Sequence, residues 1–116
     1  MKPKEIAKLM LEKKATNIKI FDVRKVTSIT DHFIICDSGS EPQTKAILNH
    51  ISRTLKKKGI KPLNTEGQDK LEWVLIDYFN YIIHIFSEEK RAYYDIDRLW
   101  ADAKITKIAD ENEKSI

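Results

Sequence analysis

"EWVLIDYFNYIIHIF", residues 72–86, is the stretch whose reading decides the fold. Two apolar runs rich in β-branched and aromatic residues flank Phe79-Asn80, a pattern that predicts two strands joined by a two-residue turn. Asparagine tolerates a positive φ and phenylalanine does not favour one, which leaves the turn type open. With two residues in the turn, Tyr78 opposes Tyr81, Ile76 opposes Ile83 and Val74 opposes Ile85 on one side. On the other side Asp77 opposes Ile82, Leu75 opposes His84 and Trp73 opposes Phe86. The first side reads as core. The second mixes an acid, an imidazole and two large rings with aliphatic residues, which suits recognition of a partner and equally suits burial under helices.

Upstream, residues 4–14 follow Pro3 with helical spacing, and "NIKIFDV" (17–23) and "HFIICD" (32–37) read as strands. Ser40 and Gln43 form a capping box that opens a helix over 41–58, closed by Lys56, Lys57 and Lys58 with Gly59 as its stop. "IKPL" (60–63) is expected as a short edge strand and "LNTEGQDK" (63–70) as a loop. Downstream, Ser87 is placed to cap a last helix with Glu88 and Glu89 in its first turn. Ala92, Ile96, Leu99, Trp100 and Ala103 should be its apolar stripe, with Arg91, Tyr94, Asp95 and Arg98 on the outward side. A tyrosine between two arginines there is expected to support a contact with a partner or a second protomer. The tail from Lys104 to Ile116 is polar and weakly patterned. The expected fold class is mixed α/β: a single mixed sheet with helices packed on it.

At 116 residues the chain is one domain. Its net charge of +3 comes almost wholly from lysine, with only Arg24, Arg53, Arg91 and Arg98 to read phosphates or bases bidentately. No DNA partner is expected. The lone Cys36 lies in an apolar run, and no stretch approaches the length of a membrane span, so a cytoplasmic protein is expected. Both tryptophans, all four tyrosines, Phe79 and Phe86 fall between residues 73 and 100, a skew that points to a surface on which something docks.

His32, His50 and His84 have no ligand-like spacing, so no metal and no cofactor are expected. "CDSGSEP" sets Gly39-Ser40 between a strand and a helix, like the phosphate-holding step of nucleotidyltransferases. Those enzymes need paired carboxylates on a neighbouring strand. Glu72 and Asp77, five apart, point to opposite faces. Catalysis is not expected.

"TSITDHFII" (27–35), "SEPQ" (40–43), Glu66-Gly67, "EWVLIDY", "HIF" and "RAYYDIDRLW" follow one another in an order that resembles the ribosomal silencing factor, or Iojap-like, family. The resemblance covers most of residues 1–103, leaving 104–116 as a tail. Phe79-Asn80 stands where a Gly-Asp pair is usual, Asp97 where glutamate is usual, and Ala92 where a charged residue is common. The resemblance implies a nucleotidyltransferase-like fold without its catalytic acids. It also implies a translational repressor that binds the large ribosomal subunit through its fourteenth protein and sterically blocks joining of the small subunit when nutrients are scarce. The residues expected to meet the partner are Trp73, Asp77, His84 and Phe86, with Glu66, Gly67, Arg91, Tyr94 and Arg98 beside them. A homodimer of the free protein is a further expectation. A weak nucleotide binder and a small RNA-binding module stand as alternatives, separable by calorimetry with nucleoside triphosphates and by the salt dependence of RNA binding.

Overall fold

The computed structural model describes residues 1–108. In chain order the elements are α1 (Pro3–Glu12), β1 (Thr16–Asp22), β2 (His32–Ser38), α2 (Glu41–Lys57) and β3 (Asn64–Glu66). After them come β4 (Trp73–Asp77), β5 (Tyr81–Ser87), α3 (Glu88–Tyr94), α4 (Ile96–Leu99) and β6 (Lys104–Ile108). The strands form one six-stranded sheet in the order β3-β4-β5-β2-β1-β6. The central pair, β2 and β5, is parallel, and the other neighbours are antiparallel. The fold is therefore the mixed α/β, single-sheet class that the pattern predicts.

The hairpin has the predicted register: Trp73 faces Phe86, Leu75 faces His84 and Asp77 faces Ile82. Its turn is tight. The Tyr78 amide donates to Tyr81 O and the Asn80 amide to Tyr78 O, both at 3.0 Å, which drives Phe79 to φ 77°. Asp77 holds this turn by accepting from the Phe79 amide at 2.9 Å, and the Thr30 hydroxyl donates to Phe79 O at 2.9 Å. A bulky residue in this region carries strain that glycine does not. Because Phe79 is 71% exposed, little burial would be lost with its ring. Phe79→Gly should stabilise the protein by up to about 1 kcal/mol, the relieved strain exceeding glycine's larger unfolded-state entropy. A thermal melt checks this, and a lowered midpoint would refute it.

The larger core lies between the sheet and α1 and α2. Ile6 and Met10 from α1, and Ile47, Ile51 and Leu55 from α2, meet the strand faces that carry Ile34, Val74, Ile76, Ile83 and Ile85. Cys36 is buried among them, and burial pushes its thiol pKa well up. Ser40 caps α2 by accepting from the Gln43 amide at 3.2 Å. Gln43 accepts in turn from the Gly39 amide at 2.7 Å and donates to Lys13 O and Lys14 O, which binds the end of α1 to the start of α2. Gly59, at φ 78°, ends α2 as expected.

Three expectations are corrected. "IKPL" is not a strand; the edge strand is Asn64–Glu66, inside the expected loop, and its polarity fits a strand bordered by solvent. The residues Lys104–Ile108 belong not to a tail but to β6, paired antiparallel with β1. The rest of the expected tail, 109–116, lies outside the described residues. The last helix is two: Asp95 takes a left-handed φ of 47° and separates α3 from α4. Ile96, Trp100 and Ala103 face inward as expected. Arg91, expected outward, is buried, while Ala92 and Leu99, expected on the apolar stripe, are exposed. The second hairpin face, which suited docking and burial equally, is largely a second, smaller core, in which Phe21, Phe33, Ile35, Ile82, Phe86 and Ile96 pack together.

Candidate docking site

Strand alternation places Trp73, His84 and Phe86 on this second face, opposite the main core. Among the described residues only α3 and the short α4 cover it, which leaves Trp73 and Trp100 at a partly exposed margin. Phe86 is fully buried and His84 is 4% exposed, whereas Trp73 and Trp100 are half-buried. Trp73 stacks on Phe86 with ring centroids 4.9 Å apart, and Tyr94 leans on its other side at 4.8 Å. From the surface inward and out again the rings form a chain. Tyr93 touches Tyr94 at 5.0 Å, Tyr94 touches Trp73, Trp73 touches His84 at 5.9 Å, His84 meets Phe33 at 5.3 Å, and Phe33 meets Trp100 at 5.0 Å. Of the aromatics crowded between residues 73 and 100, Trp73, Phe86, Tyr93, Tyr94 and Trp100 join this cluster, while Tyr78 and Tyr81 pack in the larger core and Phe79 sits exposed in the turn.

The Trp73 indole N–H donates to His84 Nδ1 at 3.0 Å. An accepting Nδ1 carries no proton, so the imidazole is neutral with its hydrogen on Nε2. That Nε2 is buried with no hydrogen-bond partner, beside the Phe33 ring in a T-shaped contact. Burial, reinforced by the positive charge of Arg91, pushes the His84 pKa down to about 4. The histidine is thus a structural acceptor that fixes the Trp73 ring.

Of the residues expected to meet a partner, Trp73 and Tyr94 come together at the open margin. His84 and Phe86 stand behind them, out of reach of solvent. Asp77 is half-buried at the far end of β4, engaged with the turn. Glu66 and Arg98 are exposed. Gly67, at φ 86°, lies so close to β4 that a Cβ there would fall 2.0 Å from Trp73 O. Only glycine lets this loop approach the start of β4, so Gly67 supports Trp73 from the backbone side. Arg91 points inward, its guanidinium in ion pairs with Asp37 and Asp97. Tyr93, 75% exposed with Lys90 Nζ 5.4 Å from its ring centre, belongs to the margin and was not singled out by its pattern. The tyrosine pair at 93–94 was the available signal.

Gly39-Ser40 does lie between β2 and α2, at a cleft of about 300 Å³ shared with Glu72, Glu88 and Glu89. Among the described residues no three His, Cys, Asp or Glu side chains come together as a metal ion would require. Nor, among those residues, is any helix long and apolar enough to cross a membrane.

Fold and site together define a small single-sheet α/β protein with an aromatic face partly open to solvent. The family model described as "Ribosomal silencing factor during starvation" matches residues 2–116, and the chain belongs to that family. It is 33% identical over 97 residues to a ribosomal silencing factor of Halalkalibacterium halodurans, covering 84% of this chain and 83% of that one. The chloroplastic protein Iojap of Zea mays is 30% identical over 98 residues, which span 84% of this chain and 42% of the relative. A crystal structure of a Chromobacterium violaceum protein superposes with a TM-score of 0.77 at 32% identity, covering 96% of this chain and 97% of the other.

Proposed function

We propose that this protein is a non-catalytic repressor of translation in the cytoplasm. In this reading it binds the large ribosomal subunit through that subunit's fourteenth protein and occupies a bridge surface that the small subunit needs. Membership of the silencing-factor family supports ribosome silencing. The observation that carries a docking mechanism is the open aromatic margin of Trp73, Tyr94 and Tyr93.

The mechanism is steric. Rigid rings supply contact area at a low cost in conformational entropy, and Trp73 is held from behind by Phe86 and His84, so little ordering remains to be done on binding. Lys90 beside the rings, with exposed Arg98 on α4, Glu66 on β3 and Asp77 on β4, supplies charge for orientation and for steering the encounter. A bridge surface filled by this protein cannot receive the small subunit.

Added to separated subunits, the protein should lower the fraction of joined ribosomes in sucrose gradients and co-sediment with large subunits but not small ones. An unchanged gradient at saturating protein would refute the reading.

A further inference from the structure

Several irregular features of the chain converge on one guanidinium. Arg91 is 5% exposed, and its Nε and Nη2 donate to the two carboxylate oxygens of Asp97 at 2.8 and 3.1 Å. Its Nη1 donates to Asp37 Oδ1 at 2.8 Å and to the Asn17 carbonyl at 3.0 Å. Asn17 sits at φ 51°, where the pairing of β1 with β2 shifts register, so the bulge turns that carbonyl toward the arginine. Asp97 reaches Arg91 across six residues, a spacing no continuous helix brings together, because the left-handed Asp95 folds α4 back on α3. Lys19 closes the cluster by donating to Asp97 Oδ2 at 2.7 Å.

We propose that Arg91 is the positioning residue of the docking face: its fork, held by Asp97 and Asp37, sets the α3–α4 corner on the sheet and thereby sets Tyr94 against Trp73. This inference rests on the aromatic margin being the docking surface. Tyr93 and Tyr94 are the last residues of α3, directly before the corner, so any rotation of the corner moves both rings. A buried ion cluster contributes little stability beyond what apolar side chains of the same volume would give. What it does give is direction. A planar fork with its donors committed to β1, β2 and α4 allows one orientation of the corner, where aliphatic packing would allow it to slide.

The test is a double-mutant cycle on co-sedimentation with isolated large subunits. Asp97→Asn leaves the buried Arg91 paired with Asp37, and the partly exposed Lys19 can turn to solvent, but it breaks the charged tie of the fork to α4. Asp97→Asn and Tyr94→Ala should each weaken binding about tenfold, and the double variant should be little weaker than either, because both act through the same ring. Asp97→Glu, which keeps the carboxylate, should restore most of the affinity. Tyr94→Ala itself should leave the melting temperature nearly unchanged, since the residue is 48% exposed. Parental binding by Asp97→Asn, or losses that multiply in the double variant, would overturn the proposal. If Asp97→Asn does not fold, Lys19→Met carries the same cycle. It removes one of the two donors to Asp97 Oδ2 and leaves the Arg91 fork in place, and a two- to threefold loss coupled to Tyr94 is expected. If the parent fails to bind large subunits, the functional reading falls, and near-UV circular dichroism still decides this one. The Trp73–Tyr94 contact should lose near-UV signal in Asp97→Asn, and a parental spectrum would refute the positioning role.

Discussion

Replacing Trp73 by alanine is expected to weaken binding to the large ribosomal subunit about thirtyfold, or about 2 kcal/mol, the usual mark of a central aromatic anchor. Trp73 joins the buried and open halves of the ring chain, stacked on Phe86 and touched by Tyr94. Its loss removes contact area at the margin and also the support against which Tyr94 rests. It uncovers Phe86 and leaves His84 Nδ1 without its donor, so the fold will weaken too. Binding must therefore be measured well below the melting temperature of the variant. Trp73→Phe separates the two effects: a ring remains on Phe86, the hydrogen bond to His84 goes, and most of the affinity should stay. If Trp73→Ala is folded and co-sediments like the parent, the docking surface lies elsewhere on the molecule.

Acidification from pH 7 to pH 4 should remove about 3 kcal/mol of stability through His84 alone. In the unfolded chain this imidazole takes up its proton near pH 6.5, whereas in the fold burial and Arg91 hold that uptake off until about pH 4. The stabilisation is complete above pH 6.5, declines between 6.5 and 4, and changes no further below that. Asp97 acts in a lower window. Burial would raise its pKa, but hydrogen bonds from Arg91 and Lys19 prevail and hold it below the usual carboxylate range, so its contribution is lost only under stronger acid. Asp37 runs the other way, because burial raises its pKa despite Arg91 beside it. Denaturant melts across this range measure the slope. His84→Gln offers an amide oxygen in place of Nδ1 and does not titrate, so its stability should be nearly flat from pH 7 to pH 4. A slope equal to the parent's would show that another group is responsible.

The hairpin was legible because two local rules agree: period-two patterning defines the faces, and a two-residue turn leaves one register. Which face would be open was not legible. An imidazole and two rings among aliphatic residues describe a wet margin and a second core equally well, and this face is both. The last helix misled for a different reason. Its break falls at Asp95 in "YYDID", with no glycine or proline to announce it, and aspartate enters the left-handed region at modest cost. Beyond the break Ile96, Trp100 and Ala103 still face inward and Arg98 outward as the stripe requires, but Leu99 is exposed. The inward turn of Arg91 had no local signal at all. It depends on Asp37, Asn17 and Lys19, which lie more than fifty residues away in the chain. The strand β3 exists because β4 offers it a ladder, since Thr65 alone among Asn-Thr-Glu favours an extended chain.

That same short strand protects one border of the sheet, the one opposite β6, against pairing with another chain. A sheet border offers unpaired amides and carbonyls to any extended chain that drifts past, and long flat borders seed aggregation. Here the border is three residues long. Pro62 stands just before it without an amide to donate, and Gly67 just after it turns the backbone back toward β4. Within it, Glu66 presents a negative charge to solvent. A passing strand finds too few rungs to climb, so a protein that keeps several rings near its surface need not share them with the wrong neighbour.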